Sequence, residues 1–129
     1  MRYIVLVLLY VVVVYADHIN WQKDYETALL KAVAQKKHIL VFLIEQHTQK
    51  TNKIIQDSFM NQAYIQTVNK DFVSVIVHSG SYECYPIELL YTTELPALFF
   101  LSNDELFLCD ALEGIITPQK IKEKLLECR

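Results

Sequence analysis

The sequence predicts a single α/β domain, a mixed central sheet with helices on both faces, and two features carry that prediction. Segments with apolar residues at helical spacing alternate with short, continuously apolar runs, HILVFLI at 38–44 and FVSVIV at 72–77, which suit strands buried on both faces. Two further runs, PALFFL and ELFLCDAL, flank Ser102, Asn103 and Asp104, a turn-forming triplet that joins residues 97–102 and 105–112 as an antiparallel hairpin. A chain of 129 residues holds one core and is too short for two. Its 53% apolar composition, with two glycines and three prolines, argues against disorder and against a loop-rich disulfide miniature.

The first residues stand apart from the fold. Arg2 is followed by YIVLVLLYVVVVYA, which carries no charge, and then by Asp17. As a helix this run spans about 21 Å, short of the roughly 30 Å of a bilayer core. A basic start, an apolar centre and the small residues Val14 and Ala16 fit a secretory signal peptide over 1–16, cut after Ala16; the alternative is an uncleaved anchor. The domain then runs from 17 to 129, and export, with the bacterial periplasm as destination, is the expectation. Net charge is −3 with the signs interspersed, so nothing draws the chain to nucleic acid or to an anionic membrane surface.

An oxidising compartment lets thiols pair, but Cys84, Cys109 and Cys128 are odd in number, so at most one internal bridge forms and three pairings are open. Cys109, in an alternating apolar stretch, reads as a small buried hydrophobe. Cys128, beside the C-terminus, reads as exposed, and Cys84, in GSYECYP, as the most accessible.

Taken in order, Asn20 caps a helix over Trp21 to Lys36, with Tyr25, Ala28, Leu29, Ala32 and Val33 recurring on one side. After the strand at 38–44, Thr48 caps a second helix carrying Ile54, Ile55 and Phe59. Asn61 opens a further helical stretch through Tyr64, Ile65 and Val68. The strand at 72–77 follows, then a turn near Gly80 and a short helix with Ile87, Leu89 and Leu90. Beyond the hairpin Gly114 breaks the backbone. Thr117 and Pro118, an N-cap and a first-turn proline, start a last helix with Ile121, Lys124, Leu125 and Cys128 along one side.

This order, with Pro96 opening the hairpin, resembles the thioredoxin-like superfamily. ILVFLIEQHTQKT at 39–51 lies without a gap over the family pattern ILVDFWAEWCGPC. Leu95-Pro96-Ala97 looks like the family's cis-proline turn, and Leu112-Glu113-Gly114 resembles its glycine after the last strand. WQKDYETALLKAVAQKKHILVFL is similar to exported members that begin with a tryptophan-bearing helix and a lysine-rich turn. The resemblance places the two redox cysteines on Thr48 and Thr51, of Thr48-Gln49-Lys50-Thr51, the preceding tryptophan on His47 and the proton-relay acid on Phe42.

Those departures bear on chemistry. A cysteine at a helix start attacks disulfides because the N-terminus stabilises its thiolate, and the second cysteine resolves the mixed disulfide. Threonine keeps the geometry and loses the chemistry. The expectation is therefore an exported, non-catalytic module that binds another polypeptide through His47, Thr48, Thr51, Leu95 and Pro96, the proline turn pairing with an extended chain as the resemblance implies. Two rivals are a thiol-disulfide oxidoreductase built on Cys84 or another displaced cysteine, and a structural subunit of an envelope assembly. Tyr82, Tyr85 and Tyr91 line a peptide groove or pack under a loop. His47 beside Thr48 has no acid placed to orient it, which disfavours a hydrolase site. The scattered histidines at 18, 38, 47 and 78 lack ligand spacing, so no metal and no cofactor is expected.

Overall fold

A computed structural model of the chain describes residues 18–45, 48–59, 63–79 and 94–128. The segment at 1–16, His47, Asn61, Gly80, Cys84, the three tyrosines at 82, 85 and 91, and the short helix at 87–90 lie outside the described residues.

The described elements are β1 (Trp21–Gln22), α1 (Tyr25–Gln35), β2 (His38–Ile44), α2 (Gln49–Asp57), α3 (Ile65–Asp71), β3 (Phe72–His78), β4 (Ala97–Leu101), β5 (Leu112–Glu113) and α4 (Pro118–Glu127). The strands form one mixed sheet in the order β1-β3-β2-β4-β5. β1 and β2 run parallel to β3, while β4 runs antiparallel to both β2 and β5. The mixed α/β class is therefore observed.

β2 is buried along nearly its whole length because it feeds two cores at once. Leu40, Phe42 and Ile44 point to one face, where they join Ile54, Phe59, Ile65, Val68, Ile121 and Leu125 from α2, its C-terminal end, α3 and α4. Ile39, Val41 and Leu43 point to the other, against Tyr25, Ala28 and Ala32 of α1. Alternation along one strand thus sorts its side chains between two layers.

Three details differ from the sequence reading. The first helix does not start at Trp21 under an Asn20 cap. Asp24 is the cap, its side chain accepting the Thr27 N–H at 2.8 Å, and Trp21–Gln22 instead pairs with Ser74 and Val75 of β3. The N-terminal tryptophan therefore belongs to a strand. It is held there by its ring, 5.2 Å from Phe59 in an edge-on contact.

Nor is the second limb of the hairpin one continuous strand. Ala97 and Leu98 pair with Glu113 and Leu112, whereas Leu101 bridges to Phe107 and the Leu108 N–H donates to the Phe100 carbonyl at 2.8 Å. The register slips by two residues between these pairings, so the stretch containing Cys109 and Asp110 bulges out of the ladder.

That bulge underlies the third difference. Cys109 is disulfide-bonded to Cys128, with the two Cα atoms 5.5 Å apart. Cys128 is 1% exposed, not a surface thiol, because it completes the inward stripe of α4 begun by Ile121 and Leu125. Cys109 is half-buried and bonded, where the sequence suggested a simple apolar residue.

Candidate functional site

The end of the sheet where β2 stops and β4 begins collects the described residues that the resemblance singles out. Antiparallel register sets Leu43 opposite Ala97, so Ile44 and Pro96 lie at the same end. The Ser79 N–H donates to the Ile44 carbonyl at 2.7 Å, extending the ladder on the β3 side of that same end. The chain leaves β2 there and enters α2 under the Thr48 cap, so the helix start stands at that end of the sheet.

Thr48 and Thr51 are locked to each other. The Thr51 N–H donates to the Thr48 hydroxyl oxygen at 3.3 Å, and the Thr48 N–H donates to the Thr51 hydroxyl oxygen at 2.8 Å. Thr51 Oγ1 also donates to the Thr48 carbonyl at 3.0 Å, and the two hydroxyl oxygens stand 3.5 Å apart. This is a reciprocal capping box, with threonine in the third position, where glutamate or glutamine is usual. It satisfies the first orphan amides of α2. Thr51 is buried and Thr48 exposed. Both side chains are thus spent on the backbone, and a threonine hydroxyl does not ionise near neutral pH, so the pair caps a helix and carries no electron exchange.

Phe42, where the resemblance puts a buried acid, is fully buried in the first core. Its ring meets Phe59 edge-on at 4.9 Å and Trp21 at 6.4 Å. An aromatic cluster fills the place, and no proton can be relayed through it.

The Leu95–Pro96 peptide bond is cis. Pro96 is buried and Leu95 half-buried against the second core. The Pro96 carbonyl accepts the Gly114 N–H at 2.9 Å, which ties the start of β4 to the chain just after β5. Gly114 has φ +74°, a backbone shape that favours glycine, whereas the only atom a Cβ would overlap is the end of the exposed Glu94 side chain, which can move aside. Of the five residues expected to bind peptide, Thr48 and Thr51 therefore sit together, Leu95 and Pro96 sit at the same sheet end, and His47 lies outside the described residues.

At the opposite end of α2 from Thr48, burial pushes the Tyr64 phenol well above its ordinary pKa, and its hydroxyl donates to the Ser58 carbonyl. Among the described residues no cluster of three or more His, Cys, Asp or Glu could hold a metal ion, and no helix is long and apolar enough to cross a membrane.

The Cys109–Cys128 bond is the feature that sequence reasoning left open. The spacing of Ile121, Leu125 and Cys128 was the available signal for a buried Cys128. Nothing comparable marked the bulge that brings Cys109 to it.

No protein-family model and no curated protein sequence matches the chain. Solved structures do. The DsbH oxidoreductase superposes with a TM-score of 0.64 at 16% identity, over 88% of this chain and 88% of that one. The C-terminal domain of Neisseria meningitidis DsbD, in its oxidised form, does so with a TM-score of 0.59 at 14% identity, over 81% and 92% respectively. Likeness at such identities shows the fold, and the fold is thioredoxin-like.

Proposed function

We propose that this chain is an exported thioredoxin-fold protein whose CxxC position has become Thr48-Gln49-Lys50-Thr51, and that it acts as a non-catalytic module binding another polypeptide. The reciprocal bonding of Thr48 and Thr51 carries this reading. The helix start is preserved in shape and closed to thiol chemistry, and Phe42 removes the acid that such chemistry uses. What remains at this end of the sheet is a rigid, capped helix start beside the Leu95–Pro96 turn, suited to contact. Export to the periplasm rests on the basic-then-apolar character of residues 1–16.

Two measurements test the reading. Reduction of insulin disulfides by the purified protein should stay at background, and activity that disappears on alkylation would overturn the proposal. Intact-mass measurement of the mature protein, with and without reductant, should show a chain beginning at Asp17 with one internal disulfide.

A second reading draws on one observation. With Cys109 and Cys128 bonded to each other, Cys84 has no cysteine left within the chain, so it is the sulfur from which a displaced thiol-disulfide oxidoreductase would work. That enzyme would trap partners as mixed disulfides, and Cys84→Ser would abolish the trapping. A role as a structural subunit of an envelope assembly would instead yield a stable co-purifying partner independent of Cys84.

A further inference from the structure

A cleft of about 290 Å³ lies on the flank of α2, between that helix and the segment leading from β5 into α4. Neither Thr48, Leu95 nor Pro96 lines it, but Gly114, whose N–H donates to the Pro96 carbonyl, does, so the cleft begins beside the sheet end described above and continues along α2. One wall is Lys50, Lys53, Ile54 and Asp57, which recur on one side of α2, and the other includes Ile115 and Ile116.

Two observations say what would fill it. Lys50 and Lys53 are exposed, one helical turn apart and outside any ion pair among the described residues, while the cleft lining holds a single acid, Asp57. Ile115, on the opposite wall, is 66% exposed, although Ile116 beside it is buried.

The cleft's volume lies at the bottom of the range of small-ligand pockets, about 300 to 1,000 Å³, and has room for an apolar side chain of a docked polypeptide. In an extended chain, residues two apart point the same way and are separated by about 6.6 Å, close to the ~5–6 Å between positions three apart on a helix face. We propose that this cleft docks an extended acidic segment of a partner polypeptide, one apolar side chain entering between Ile54 and Ile115 while acids at alternate positions meet Lys50 and Lys53.

The inference rests on the reading of the chain as a polypeptide-binding module, and the two fail separately. Reductase activity would remove the module without touching the cleft, and loss of peptide binding in an inactive protein would remove the cleft alone. The test is fluorescence anisotropy with a labelled, capped nonapeptide, Glu-Ser-Glu-Ser-Leu-Ser-Glu-Ser-Glu, against the same peptide with lysine for glutamate. The acidic peptide should bind saturably, and the lysine peptide at least about tenfold more weakly. Lys50→Glu with Lys53→Glu should weaken binding about tenfold, as two reversed rim charges would, and Ile115→Asp by a similar factor. Lys31→Glu with Lys122→Glu, two exposed reversals of equal charge outside the cleft, should leave binding unaltered. Equal binding of the two peptides, wild-type affinity in the cleft variants, or an unbound peptide with self-association through Ile115 would each overturn the proposal.

Discussion

Two side-chain pairs near helix ends invite comparison. Thr48 and Thr51 meet at the start of α2, and Cys109 meets Cys128 at the end of α4. In the proposed reading the first pair takes the place where thioredoxin-like redox proteins hold sulfur, and its side chains offer oxygen instead. The second holds sulfur where the helix works against reactivity. A helix N-terminus carries partial positive charge and stabilises a thiolate, while a C-terminus carries partial negative charge and disfavours one. Burial of Cys128 adds to the second effect. An exchange centre needs both sulfur and a helix start, and of these two pairs one has the helix start and the other the sulfur.

The most drastic way to break the contrast is to return sulfur to the first pair. Thr48→Cys with Thr51→Cys should confer alkylation-sensitive reduction of insulin disulfides, against the background level expected of the parent protein. In single Thr48→Cys, the pH profile of iodoacetamide reaction should have its midpoint below the roughly 8.5 of an unperturbed thiol. A midpoint at or above that value would mean that this helix start does not polarise its neighbour. Restoring the acid is the next largest change. Phe42→Asp buries an unpaired carboxyl in the Phe59 and Trp21 cluster, and urea denaturation should report a loss of about 4 kcal/mol or more, the full cost of an emptied aromatic site plus desolvation.

Removing sulfur from the second pair costs less. Cys109→Ser with Cys128→Ser, or reduction of the native protein, should lower stability by about 3 kcal/mol for a loop of this length, and should leave the insulin assay at background. Smaller again is the cap. Thr48→Ala removes one half of the reciprocal box and should cost about 1 kcal/mol by the same denaturation, whereas Thr48→Ser should cost little. The smallest effect concerns α1. The Thr27 backbone N–H, then its side chain, holds the Asp24 carboxyl below its ordinary range. A lowered folded-state pKa gives stability that is present above the unfolded value and is lost as pH falls through the folded one. Acidification below about pH 3.8 should therefore weaken the native protein slightly, and Asp24→Asn should remove that part of the pH dependence.

Much of this was legible in the sequence, and the parts that were not share a cause. β2, β3, α2 and α4 were readable because periodicity, a threonine cap and a first-turn proline are local signals. The family roles of the positions Thr48, Thr51 and Phe42 come from the resemblance and belong to the proposed function. Trp21 was misread because helical spacing continues backwards through it. Only a distant ring, Phe59, and a partner strand, β3, override that spacing. The hairpin was over-extended for a similar reason. Alternation in ELFLCDAL suggests a regular strand, and the two-residue slip that breaks it depends on β4 alone. The disulfide inherits that illegibility, since Cys109 reaches Cys128 by way of the bulge.

The sheet has outer strands, β1 and β5, of two residues each. β1 and β5 themselves therefore give a foreign chain little backbone on which to extend the ladder. β3 is different, because β1 pairs with Ser74 and Val75 alone of Phe72–His78 and leaves the rest of that side of β3 without a neighbouring strand among the described residues.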